Sequence, residues 1–129
     1  ETLNLREYPN VYFAGQISGV EGYTESIATG MLAGLYAGAS AAGLNPLPIP
    51  RQTALGSLVH YITHAEGKRF DPANITFDLL VALEEEARRH IRDKKERHRI
   101  QCERALTAFD AWWNDARRTH CAIAVPVSG

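Results

Sequence analysis

The sequence predicts an α/β segment that is rich in helix and organised around one strand-to-helix unit. Three observations carry that reading. The apolar run Val11-Tyr12-Phe13-Ala14 stops at Gly15, as a parallel strand buried on both faces does. Glycines recur at Gly15, Gly19 and Gly22, immediately before a long stretch with helical spacing. The second half of the chain is a run of charged and apolar residues at the period of a helix.

A chain of 129 residues is enough for one domain with a modest core. With 45% hydrophobic and 22% charged residues, its composition is ordinary for a globular protein. A net charge of -1 exerts no global pull on nucleic acid or membrane, so any basic patch must be local. Cys102 and Cys121 stand far apart with no CxxC or Cys/His ligand spacing. That excludes a disulfide scaffold and a zinc site as organising features, and it predicts a reducing, cytoplasmic setting. No secretory leader pattern opens the sequence, which starts at Glu1 and enters the strand almost at once, as an excised segment does. Ile27 to Leu44 contains no charged residue and reaches the lower length of a spanning helix. Ala, Gly, Ser and Thr dominate it, so a buried α/β helix and no membrane contact are expected.

The elements follow in chain order. The strand covers Val11 to Ala14, and a helix opens near Tyr23. Tyr23, Ile27, Met31 and Leu35 recur every four residues and predict an apolar stripe. Gly30, Gly34 and Gly38 share that spacing and predict a smooth strip for close backbone approach. Gly43 supplies the helix stop. Asn45 to Pro50, with prolines at every second position, is an extended connector. Thr53 is positioned to cap a helix from Ala54 to about Thr63, buried through Leu55, Leu58, Val59 and Ile62. Gly67 to Asn74 holds turn residues. Phe77, Leu79, Leu80, Val81 and Leu83 anchor a single long charged helix, whose last third shows an apolar stripe of Cys102, Leu106, Phe109 and Trp113. The chain thus divides into a strand–glycine turn–helix unit at 1–45, a connector and short helix at 46–78, a charged helix at 79–119 and an unassigned tail at 120–129.

Three places bear chemistry. A strand that ends in glycines and feeds a helix leaves outward N–H groups that attract an anion or an electron-rich carbonyl. The pyrimidine edge of a flavin is such a group, and a plain strand-to-helix turn is the alternative. The spacing is G-x-x-x-G-x-x-G and not the dinucleotide G-x-G-x-x-G, so nothing here holds the ADP half of a cofactor. His60 and His64 share a helical face, but Tyr61 stands where a zinc protease carries its Glu, and no metal is assigned. His60 or Tyr61 facing a flat heterocycle competes with a structural hydrogen bond. Arg88 to Arg99 carries seven basic residues against Asp93 and Glu96. Among them Arg92, Lys94, Lys95 and Arg97 are candidates for RNA phosphates. The i,i+4 pairs Glu84–Arg88, Glu85–Arg89, Arg92–Glu96 and Asp93–Arg97 predict instead a self-paired, solvated helix. No aromatic residue interleaves these charges, and Trp112 and Trp113 are assigned to packing.

The segment Ala14-Gly15-Gln16-Ile17-Ser18-Gly19-Val20-Glu21-Gly22-Tyr23-Thr24-Glu25-Ser26 resembles the C-terminal flavin motif of two related tRNA-modifying flavoproteins. One is the folate-dependent, FAD-containing tRNA (uracil-5-)-methyltransferase family, and the other the wobble-uridine carboxymethylaminomethyl enzymes. Pro50-Arg51-Gln52-Thr53-Ala54-Leu55-Gly56, Asn74-Ile75-Thr76-Phe77 and Ile91-Arg92-Asp93-Lys94-Lys95-Glu96-Arg97 resemble later motifs of the methyltransferases. The likeness runs over about residues 8 to 115. It implies the C-terminal segment of a Rossmann-like FAD-binding domain in a bacterial, cytoplasmic enzyme. That enzyme methylates the T-loop uridine of tRNA with methylenetetrahydrofolate, FAD and NAD(P)H. By the match, Gly15, Gln16, Gly19, Val20, Glu21, Gly22 and Tyr23 lie at the flavin. The family's Gly-rich loop and cysteine nucleophile have no counterpart in these residues, so no catalytic residue is assigned. The resemblance implies a segment inactive alone, with tRNA and the N-terminal part of the enzyme as partners and an unassigned oligomeric state. A non-catalytic RNA-binding or structural remnant is the reading from another class.

Overall fold

The computed structural model describes residues 1–65 and 70–120. A 3-10 turn, Gly15–Ser18, precedes four helices: α1 Tyr23–Ala41, α2 Ala54–His64, α3 Glu85–His90 and α4 Lys94–His120. The expected strand at Val11–Ala14 does not form. Among the described residues the β pairings are two single bridges, Asn4–Tyr12 antiparallel and Val20–Ala73 parallel. A parallel strand needs neighbouring backbone along its length. Here the run pairs with residues 3 to 5 of its own chain, through Phe13 N to Leu3 O and Leu5 N to Val11 O, each 2.9 Å. The described residues are therefore helix-rich, and the α/β class read from the sequence is not visible in them.

Helix boundaries follow local chemistry closely. Gly43 at φ 73° ends α1, with Gly43 N bonded to Ser40 O and Leu44 N to Ala39 O. This is the paired pattern that satisfies the last carbonyls of a helix. Thr53 caps α2: its Oγ1 accepts from Gly56 N at 2.8 Å and donates to Pro50 O at 2.8 Å. A Cβ on Gly56 would lie 1.9 Å from Pro50 O, so that close approach demands glycine. Leu55, Leu58 and Val59 are buried as expected, and Ile62 packs against them.

The faces of the longer helices differ from the expected ones. α1 buries Thr29, Leu32, Ala33, Tyr36 and Ala39, whereas Tyr23 is 89% and Ile27 74% exposed and Met31 is exposed too. Leu35 alone of that stripe packs on the core. Because α1 carries no charge after Glu25, spacing does not choose its buried face. Packing chooses the side carrying Leu32 and Tyr36, both 0% exposed. Gly30, Gly34 and Gly38 have open space above them. By helical geometry they share the outward side with Tyr23, Ile27 and Met31, so the two expected strips are one exposed, uncharged face.

The single charged helix is two helices. Asp93 Oδ1 accepts from Lys95 N at 3.0 Å and caps α4 across a break at Ile91–Asp93. In α4 the expected stripe is also displaced: Cys102 is exposed and Leu106 is 63% exposed, while Gln101, Ala105, Trp112 and Ala116 are buried. Phe109 and Trp113 pack at the edge of the core. Trp112 sets this register because its large ring is buried while its Nε1 reaches Leu47 O at 3.0 Å. The tail from 121 lies outside the described residues. Among the described residues no helix is long and apolar enough to cross a membrane.

Tyr36 Oη accepts a hydrogen bond from Ile49 N at 2.9 Å. Burial pushes its phenol from 10 up to about 12, against the opposing pull of that hydrogen bond. Tyr36→Phe removes the acceptor from a buried N–H and is expected to cost about 1–3 kcal/mol in urea denaturation. A raised folded-state pKa means that the folded chain holds the proton more tightly. The Tyr36 contribution is therefore intact below pH 10 and is lost as pH rises toward about 12. That slope in thermal melts between these limits should be shallower in Tyr36→Phe.

Candidate functional site

The glycine turn is built from backbone that side chains resist. Gly19 (φ 86°) and Gly22 (φ 82°) both take left-sided φ values, and a Cβ on Gly19 would lie 2.1 Å from the ring of Phe70. Thr29, fully buried in α1, holds the start of the turn. Its Oγ1 accepts from Gly15 N at 3.1 Å and donates back to Glu25 O at 2.9 Å. On the other side Ala73 straps the turn, with Glu21 N to Ala73 O at 2.9 Å and Ala73 N to Gly19 O at 3.1 Å.

The seven residues expected at a flavin divide into two groups. Gly15, Gly19 and Val20 are buried and shape the turn, while Gln16, Glu21, Gly22 and Tyr23 face outward. The outward N–H groups are fewer than the sequence pattern suggests, because those of Gly15, Gly19 and Glu21 bond inside the protein. The first turn of α1 remains, where the N–H groups of Tyr23, Thr24 and Glu25 lack helical acceptors. The Glu25 carboxylate folds back over it: Oε2 lies 2.3 Å from where a Gly22 Cβ would stand, and Oε1 accepts from Ile75 N at 3.3 Å. A carboxylate there complements the positive end of the helix.

Tyr61 and His60 fare differently. The Tyr61 ring tilts against Phe70 with centroids 5.9 Å apart, and its hydroxyl donates to Asp71 O at 2.9 Å. Through Phe70, which covers Gly19, Tyr61 joins the wall of the turn. His60 instead stacks on His64 at 4.2 Å and faces Glu1, whose Oε1 is 3.5 Å from His60 Nδ1 and 3.7 Å from His64 Nε2. His64 Nδ1 meets the backbone carbonyl of His60 at 3.1 Å. Phe70, Thr29, Glu25 and Ala73 were not singled out in the sequence. Thr29 and Glu25 carry a usable signal: Glu25 is the one charged residue of α1, and Thr29 is the last polar side chain before the run of small and apolar residues from 30 to 39. Phe70 and Ala73 carry none, since only the fold brings them to the turn.

An apolar cavity of about 360 Å³ adjoins Glu25 and Thr24, with Thr53, Leu55, Leu80 and Phe109 among its walls. A second cavity, about 320 Å³ and polar, lies where residues 77–83 meet the start of α4 and takes in Arg88, Lys94, Arg97 and His98. Of the four expected i,i+4 pairs, Glu85–Arg89 forms at 3.7 Å. The helix break diverts Asp93 to capping, and Glu96 turns to Arg99, 2.6 Å away, which also meets Glu103. Arg92 and Lys95 are exposed and, unlike Lys94 and Arg97, do not line that cavity.

Residues 1–45 match the sequence model of the family described as Glucose inhibited division protein A. Over 112 residues, 87% of its length, the chain is 65% identical to the methylenetetrahydrofolate–tRNA-(uracil-5-)-methyltransferase TrmFO of Koribacter versatilis. Proteins of the same name from Solibacter usitatus and Symbiobacterium thermophilum are 60% and 50% identical over 85% and 86% of the chain. The chain spans 24–25% of the length of these relatives. Over most of its length the chain is thus similar to one segment, about a quarter, of methylenetetrahydrofolate–tRNA-(uracil-5-)-methyltransferases.

Proposed function

We propose that the chain supplies one wall of the flavin site, and part of the RNA-facing surface, of an enzyme that methylates uridine C5 in the T-loop of tRNA. The observation that carries this reading is the 65% identity to such an enzyme over a segment that folds into an outward-facing glycine turn. The shared uracil-5 name of the three relatives favours it over the wobble-uridine flavoprotein. The cofactor is FAD, with methylenetetrahydrofolate as carbon donor and NAD(P)H as reductant. Bound at the turn, the flavin supplies the redox chemistry that converts a folate-borne carbon into a methyl group.

The turn fits the pyrimidine edge of a flavin. Glycine at position 22, φ 82°, keeps the backbone free of a side chain of its own, and the first N–H groups of α1 favour negative charge. Gln16, Glu21, Gly22 and Tyr23 line the approach, while Gly15, Gly19 and Val20 hold its shape. The Glu25 carboxylate occupies the same helix end, so an electron-rich flavin edge displaces it or shares its place. Tyr61 with Phe70 gives a flat aromatic wall for folate or substrate, and His60 stands one residue before it on α2. Arg92, Lys94, Lys95 and Arg97 meet RNA phosphates. The exposed face of α1, with Tyr23, Ile27, Met31 and its three glycines, docks the rest of the enzyme. That remainder brings the dinucleotide loop and the nucleophile, and the segment alone is inactive. The assembled enzyme acts in the bacterial cytoplasm.

Flavin binding, followed by absorbance and fluorescence, tests the proposal on the chain alone and on the chain mixed with the remaining part of the enzyme. Binding with quenched fluorescence is expected only in the mixture, and its absence from both would remove the flavin assignment. Thr29→Val keeps the volume but leaves Gly15 N–H without its acceptor. It should lower stability by about 1–3 kcal/mol and weaken flavin binding by the mixture several-fold, whereas Thr29→Ser should preserve both.

A further inference from the structure

The polar cavity at the α3–α4 corner has a charge balance that the helix sequence conceals. Arg88 comes from α3, and Lys94, Arg97 and His98 come from the first turns of α4. Among the described residues no carboxylate lies within ion-pair distance of Arg88, Lys94 or Arg97, although carboxylates engage Arg89, Arg99 and Arg118. Asp78 is the one carboxylate in the lining, so three fixed cations face a single anion in a chain of net charge -1. Gln101, 9% exposed, forms part of the wall, and its amide donates to Val81 O at 3.4 Å. Beside the cations Phe77 lies flat on His98, with centroids 3.7 Å apart and planes 3° from parallel. Phe77 is 41% exposed and supplies the aromatic surface that is absent from the sequence around the basic cluster.

Unpaired cations next to an exposed flat ring are the combination that holds single-stranded RNA, the charges on a phosphate and the ring on an adjacent unstacked base. We propose that this cleft binds a phosphodiester of an unpaired stretch of RNA, with Arg88, Lys94 and Arg97 on the phosphate and Phe77 against the neighbouring base. The proposal rests on the reading that the enzyme acts on tRNA, and it narrows the RNA contact to one cleft. Arg88 and Phe77 join Lys94 and Arg97 in the cleft, and Arg92 and Lys95, which do not line it, are left to phosphates farther along the strand.

Fluorescence anisotropy of a labelled RNA hairpin with an unpaired loop, and of a fully paired RNA, titrated with this flavin-free chain across a salt series, tests it. Arg88→Gln, Lys94→Gln and Arg97→Gln should each weaken hairpin binding several-fold and lower the salt slope by about one. Arg99→Gln, at a paired arginine, should leave both unchanged. Phe77→Ala should reduce the preference for the looped RNA without changing the salt slope. Circular dichroism confirms that each variant keeps its helix content. No RNA binding by the parent chain, or equal weakening by Arg99→Gln, would overturn the cleft. Because no flavin enters the assay, failure of the flavin proposal is read separately, in the flavin titration.

Discussion

Two hydrogen bonds to an extended connector hold the structure together. Residues 45–50 form no β pairing with the other described residues, so their backbone groups bond to side chains. Tyr36 in α1 accepts from Ile49 N, and Trp112 in α4 donates to Leu47 O. Both are large aromatic side chains, each buried in the core and each with a polar atom at its edge. They pin the connector between two helices far apart in sequence. Arg51 continues the tie, donating to Ser57 Oγ at 2.6 Å and to Leu79 O at 3.3 Å. The position of α2 and the register of α4 both follow from this arrangement.

The same constraint accounts for the face that α1 leaves open. With Leu32, Tyr36 and Ala39 committed to the connector and core, the opposite side of the helix must point outward. Exposed Tyr23, Ile27 and Met31 beside three open glycines form a contiguous apolar surface of the kind that marks an interaction site. Its position next to the glycine turn is not incidental, since the turn is the entry to the same helix. Thr29 couples the two, bonding the turn from the buried side of α1.

Spatial proximity also joins motifs that are separate in sequence. The turn at residues 15–22 is strapped by Ala73, next to the Asn74–Phe77 motif, and is walled by Phe70 and Tyr61 of α2. The basic run separates in the opposite sense. The break at Ile91–Asp93 reorients the charges, and carboxylates that would neutralise them at regular i,i+4 spacing go elsewhere. Arg99 becomes a paired surface residue, with Glu96 held below the usual carboxylate range by its hydrogen bond. Arg88 and Arg97 line the polar cavity, with no carboxylate paired to either among the described residues.

Local chemistry was readable from the residues themselves. The Thr53 cap, the Gly43 stop, the start of α1 near Tyr23, the buried side of α2 and the family likeness all depend on neighbours within a few positions. The capping hydroxyl, the glycine at positive φ and the motif spacing act over that range. The faces of α1 and α4, the fate of Val11–Ala14 and the division of the charged helix did not follow from spacing. Each is settled by groups distant in the chain: a missing partner strand for Val11–Ala14, the Ile49 and Leu47 backbone for Tyr36 and Trp112, and Asp93 choosing a cap over Arg97. The sequence by itself determined which short segments would turn, cap and coil, because those energies are local. Only the tertiary structure decided which sides of the helices are buried and which charges remain unpaired, because burial and pairing depend on what else the chain brings into contact.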